Sequence, residues 1–205
     1  MTAPVRLRVS NHPFVFSLSA FGLGALTGFP VAVLAPAFRQ IMIGMLQARV
    51  LEPVQGALRI GGFAVVLLIF ANNSMPVLLS FLYPILLDRI PWTPPLTRRR
   101  RRLLLTGYSF LAAFLVGFLD LGASLGSILF ERGESLVISL MKHSWLHGPI
   151  EFGLVLLCIA EPARIAVRDS TGSGVASFNR KDAALLLCCL VGLLVAAILE
   201  FALNI

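Results

Sequence analysis

Residues 103–130 read LLLTGYSFLAAFLVGFLDLGASLGSILF, a run of 28 residues in which Asp120 is the only charged side chain. A hydrocarbon core of ~30 Å is crossed by about 20 helical residues. The run is therefore long enough to span a bilayer as one helix. Five consecutive arginines, Arg98 to Arg102, stand directly in front of it. Such a basic block marks the membrane face where a span begins, and it suits anionic lipid headgroups.

Working outward, four more apolar runs of similar length appear at 13–37, 60–87, 144–167 and 183–203. Of 205 residues, 58% are hydrophobic and 13% charged, against roughly 25% charged in ordinary soluble domains. The expectation is one all-α, polytopic transmembrane bundle of about five spans over residues 1–205, with short connections only. Residues 39–59, which mix Arg39, Arg49, Glu52 and Arg59 with aliphatic side chains, read as an interfacial helix or structured loop. The segment from Asp169 to Asp182 is polar and rich in Gly and Ser, and reads as a connecting loop. The first apolar run reads as a retained span, because no small-residue cleavage site follows a brief apolar core.

The net charge of +7 comes from 15 Arg and 2 Lys against 10 acidic residues. With five spans, twelve basic residues fall on the side of the N-terminus and five on the other. The positive-inside rule then sets the N-terminus in the cytoplasm of a multi-pass cell-membrane protein. The partners expected are anionic lipid headgroups, at Arg98, Arg99, Arg100, Arg101 and Arg102, and other membrane proteins or further copies of the chain. Nucleic acid is not expected. The three cysteines, Cys158, Cys188 and Cys189, lie in apolar runs and read as packed thiols rather than a disulfide framework.

Ionisable groups inside spans cost ~2.5–3.5 kcal/mol each on insertion scales, so each calls for a reason. Counting ~1.5 Å per residue from the span ends puts Asp120, His147, Glu151 and Glu200 in the outer half of the membrane. Asn72 and Asn73 fall near the midplane. Glu161 and Arg164 fall near the cytoplasmic end, three apart on one helical face, and are expected to pair. His147 and Glu151 are four apart and share a face. They could lock the bundle, share a proton or bind a cation; two ligands fall short of a zinc site. No metal or cofactor is expected. Depth fixes height but not azimuth, so a meeting of Asn73 with Glu151 is an expectation only. Gly122-Ala-Ser124-Leu-Gly126 spells a nucleophile-elbow string, yet it lies in an apolar helix rather than a strand-to-helix turn. Gly122 and Gly126, like Gly24 and Gly28, read instead as close-packing faces, suited to contacts with other membrane proteins.

The polar islands occur in a recognisable order. Phe70-Ala-Asn72-Asn73 precedes Val77-Leu-Leu, His147-Gly148-Pro149-Ile150-Glu151 opens a later span, and Ala196-Ala-Ile-Leu-Glu200-Phe closes the last one. Over about residues 61–202 this order resembles the stage II sporulation protein M family of integral membrane proteins. That family has an asparagine-bearing second span, an HGxxE element and a glutamate in its final span. The chain departs from it at Glu161-Pro162-Ala163-Arg164, where a Gly/Ala-rich helix is usual. The resemblance implies a non-enzymatic scaffold that, in endospore formers, holds cell-wall-degrading partners at the engulfing membrane. It also implies that Asn72, Asn73, His147, Glu151 and Glu200 are signature positions. The alternative function is a permease or channel-like subunit whose route uses these residues and Asp120.

Overall fold

A computed structural model describes residues 12–91, 96–133, 135, 138, 147–171 and 179–203. The long elements among them are helices, with no strand. We label them α1 (Pro13–Leu34), α2 (Pro36–Leu46), α3 (Glu52–Ile60), α4 (Gly62–Arg89), α5 (Arg98–Leu115), α6 (Ser124–Arg132), α7 (His147–Ile159), α8 (Glu161–Thr171) and α9 (Arg180–Leu203). Two π-helical stretches, π1 (Gln47–Leu51) and π2 (Val116–Ala123), join α2 to α3 and α5 to α6.

Among the described residues, four helices are long and apolar enough to cross a membrane: α1, α4, the continuous α5–π2–α6 and α9. The chain is thus an all-α membrane protein. The run at 144–167 is helical in two pieces, and residues 144–146 lie outside the described residues. Pro162 lacks the N–H that would bond the Cys158 carbonyl, and the helix turns over at Ala160 between α7 and α8. Backbone bonds from Ala160 to Leu156 and from Arg164 to Ala160, both 3.0 Å, carry the path through the break.

The elements start and stop where local chemistry dictates. Pro13 and Pro36 occupy first turns, where a missing N–H costs nothing. Thr97 caps α5 by accepting from the Arg100 amide at 3.3 Å. Gly61, at φ 140°, makes the corner between α3 and α4 that a side chain would strain.

Helix directions follow from neighbours. Phe21, Ala25 and Phe29 of α1 meet Gly117, Gly122 and Gly126 in the same order, so α1 and α5–α6 run parallel. Gly62 at the start of α4 abuts Phe201 at the end of α9. Leu154 meets Gly192, and Arg164 meets Asp182. Both α4 and α7–α8 are therefore antiparallel to α9. Among the described residues, five helical segments run through the bundle, three one way and two the other.

The contact between α1 and α5–α6 is backbone to backbone. A methyl group on Gly117 would lie 2.0 Å from the Phe21 carbonyl oxygen, and one on Gly24 2.1 Å from that of Phe114. The same holds for Gly28 against Phe118 (2.3 Å) and Gly122 against Ala25 (2.3 Å). The small-residue faces expected to serve other proteins are therefore spent on each other. Glycine on both sides lets the two helices approach to van der Waals contact of main chains.

The main core lies where α7 threads between the others: Val155, Leu156, Cys158 and Ile159 are buried with Val77, Phe81, Ala20, Ala113 and Leu193. A second cluster of Leu87, Leu105, Ile165 and Ala166 sits at the arginine end, beside Tyr83 stacked on Tyr108 at 4.2 Å. A third, Ala32, Met42 and Ala123, closes the opposite end.

Candidate functional site

The polar side chains of the spans form two separate sets rather than one. Asn72 and Asn73 are neighbours on α4, about 100° apart around the helix axis, so they face different partners. Asn73 donates from Nδ2 to Glu151 Oε1 on α7 at 2.8 Å. Glu200, in the last turn of α9, lies near enough for its charge to act on Glu151. His147 opens α7, but its side chain lies outside the described residues. This first set ties α4 and α7 and faces α9.

The second set turns toward α5–α6. Arg49, on π1, donates from Nε to Asn72 Oδ1 at 2.9 Å and from Nη1 to Asp120 Oδ1 at 3.2 Å. Asp120 is carried on π2, where the wider turn redirects side chains relative to a regular helix. Arg49 belongs to the expected interfacial segment and was not a candidate. The signal for it was weak: a lone cation among aliphatic residues, with its partner 71 positions away.

At the arginine end, ion pairs are denser and more deeply buried. Arg164 Nε meets Glu161 Oε2 at 2.7 Å, the expected pairing, and Arg164 Nη2 also reaches Asp182 Oδ1 at 2.9 Å. Arg168 holds Asp182 from the other side at 2.9 Å. Asp182 is fully buried, caps the start of α9 by accepting from the Asn179 amide, and so is no loop residue. Asp169 is likewise buried at 4% exposure and takes a charge-assisted bond from Arg101. Residues 172–178 of the expected connecting loop lie outside the described residues, but both its ends are structural anchors.

Arg101 departs from its neighbours in the basic run. Its side chain is 5% exposed and bonds Asp88 through Nε at 2.7 Å and through Nη2 at 2.8 Å, as well as Asp169. An arginine with both faces occupied by carboxylates is not available to a headgroup, which corrects its expected lipid-binding role. Arg98, Arg99 and Arg100 are exposed and Arg102 partly so, at the same end as exposed Arg89, Arg180 and Lys181. At the other end, Arg39 pairs with Glu131 at 3.3 Å and lies over the Phe130 ring.

Cys158 of α7 and Cys189 of α9 are buried, whereas Cys188 is exposed. The Ser124 hydroxyl donates to the Leu119 carbonyl at 2.8 Å, within its own helix. Chemically, the first set offers two carboxylates and an amide. Those groups can share a proton or hold a cation, or serve as an interhelical tie. Among the described residues, no three His, Cys, Asp or Glu side chains converge as metal ligands. No family model, curated protein or solved structure matches the chain.

Proposed function

We propose that the chain is a non-enzymatic scaffold of the cell membrane, crossing it five times with the arginine end cytoplasmic, and that it assembles with partner membrane proteins. The observation that carries this reading is the Asn73–Glu151 hydrogen bond. It joins two of the three motifs behind the resemblance to the stage II sporulation protein M family, and it uses them as an interhelical tie. The remaining ionic groups act similarly. Arg49 links π1 to α4 and π2, and Arg101 links α4, α5 and α8. Residues spent on ties hold a surface in shape rather than line a route. The five alternating passes and the basic end support the orientation. Because the glycine faces of α1 and α5–α6 are occupied, partners are met through outward faces such as Leu187, Val191, Leu194, Val195 and Ile198 of α9.

A second reading, a permease or channel-like subunit, is favoured by the charge interaction of Glu151 with Glu200. Mild-detergent extraction from the native membrane followed by native mass spectrometry separates the two. Stoichiometric foreign subunits that persist in Glu151→Gln are expected for the scaffold. A chain free of foreign subunits that conducts ions in liposomes, and loses conduction in Glu151→Gln, would establish the permease instead.

A further inference from the structure

We propose that the lateral groove between α1 and α7–α8 holds one acyl chain of a phospholipid whose anionic phosphate rests on Arg164. The groove consists of two adjoining open surface depressions of about 390 and 330 Å³ that share Phe14 and Leu157. The first is lined by apolar surface from Pro149, Ile150, Gly153 and Leu154. The second continues past Ala160 and Leu185 to Glu161 and Arg164. From Pro149 to Glu161 a helical path is about 18 Å long, close to half of the ~30 Å hydrocarbon core. One leaflet's acyl chain has that reach.

Gly153 opens the groove. Glycine inside a helix is less favourable than alanine, and some helical glycines of this chain are required by close backbone contact. No such contact exists here: a Cβ at Gly153 would meet nothing within 4 Å. The missing side chain instead leaves room along an otherwise apolar wall. At the mouth, the charges are layered. Glu161 and Asp182 are 1% and 0% exposed, while the Arg164 side chain in front of them is 44% exposed. Arg164 lines the mouth and spends Nε and Nη2 on those two carboxylates, so neither contact uses its Nη1. The two N–H groups of Nη1 can still donate to a phosphate oxygen. The other exposed basic residues of this end put the mouth at headgroup level.

The test uses the full chain in nanodiscs of equal phosphatidylglycerol and phosphatidylcholine, released for native mass spectrometry. One retained phosphatidylglycerol per chain is expected. Gly153→Leu fills the groove and is expected to cut retention at least tenfold, with helicity and melting temperature unchanged. Gly107→Leu, at a glycine with equally open surroundings on α5, is expected to retain the lipid. Arg164→Gln is expected to keep one lipid and lose the phosphatidylglycerol preference. Unchanged retention in Gly153→Leu, or equal loss in Gly107→Leu, would overturn the groove. Equal retention of both lipids by the unaltered chain would overturn the role of Arg164, independently of whether its replacement folds.

Discussion

Arg49 and Asp120, 71 positions apart in sequence, meet at 3.2 Å from two π-helical stretches, π1 and π2. Each side chain sits at a place where the helix is locally widened, and each is presented off the regular register as a result. The pair closes the interfacial segment onto the long helix, and Asn72 completes it.

The Arg49–Asp120 contact is half exposed, with side-chain exposures of 48% and 36%. An exposed ion pair contributes ~0.2–1 kcal/mol. Arg49→Ala is therefore expected to lower the melting temperature by only a few degrees (about 2–4 °C per kcal/mol at this size). A charge swap, Arg49→Asp with Asp120→Arg, should restore most of the loss. Thermal melts of the three variants in one detergent check this, and a swap worse than both single changes would contradict the pairing.

Gly117 and Gly22 provide a sharper contrast. Gly117→Ala drives a methyl group against the Phe21 carbonyl, 2.0 Å away, and must push α1 off α5–π2. A loss of more than about 2 kcal/mol is expected, in the range of overpacked cores. Gly22→Ala meets nothing within 4 Å and should be neutral or stabilising by roughly 0.5–1 kcal/mol. Chemical unfolding of both variants, followed by circular dichroism, reads the difference.

Arg101 and Arg99 are two positions apart in one basic run and are expected to behave oppositely. Arg101→Ala takes a charge-assisted partner from Asp169, a carboxylate only 1% exposed. Removing one partner of such a pair costs about 3–5 kcal/mol. Arg99→Ala is an exposed change and should stay within about 0.5 kcal/mol. Similar stability of the two variants would refute the triad of Arg101, Asp88 and Asp169.

Asn73 and Glu151 are linked by an interhelical hydrogen bond, and such bonds in a membrane average ~0.6 kcal/mol and reach about 1.7. A double-mutant cycle with Asn73→Ala and Glu151→Ala should return a coupling in that range. Cysteines at the two positions, in a background lacking Cys158, Cys188 and Cys189, should be joined by a short bis-thiol reagent. Absence of the cross-link in the folded protein would rule out the contact.

Fold class was readable because a membrane span is a local property: 20 or so apolar residues need no partner to declare themselves. The positions of α1, α4, α5–α6 and α9 agree with the runs at 13–37, 60–87, 103–130 and 183–203 to within five residues at either end. Pairing of Glu161 with Arg164 was readable for the same reason, since both lie on one helical turn. Less of the candidate site was legible. Asp169 and Asp182 looked like loop residues because their surroundings are polar. They are buried because α5, α8 and α9 bring Arg101, Arg164 and Arg168 onto them.

The amino-acid sequence by itself determined that this protein is a bundle of apolar helices with a basic end, and it set the height of each polar residue along its span. Those properties follow from composition and from the fixed rise of a helix. Only the tertiary structure decided azimuth: that Asn72 turns to Arg49 while Asn73 turns to Glu151, and that Arg101 alone of its run is drawn inward. It also decided that the glycines of α1 and α5–α6 serve each other. Rotation about a helix axis is set by which neighbouring helices pack against it, and that choice is made by contacts far apart in the chain.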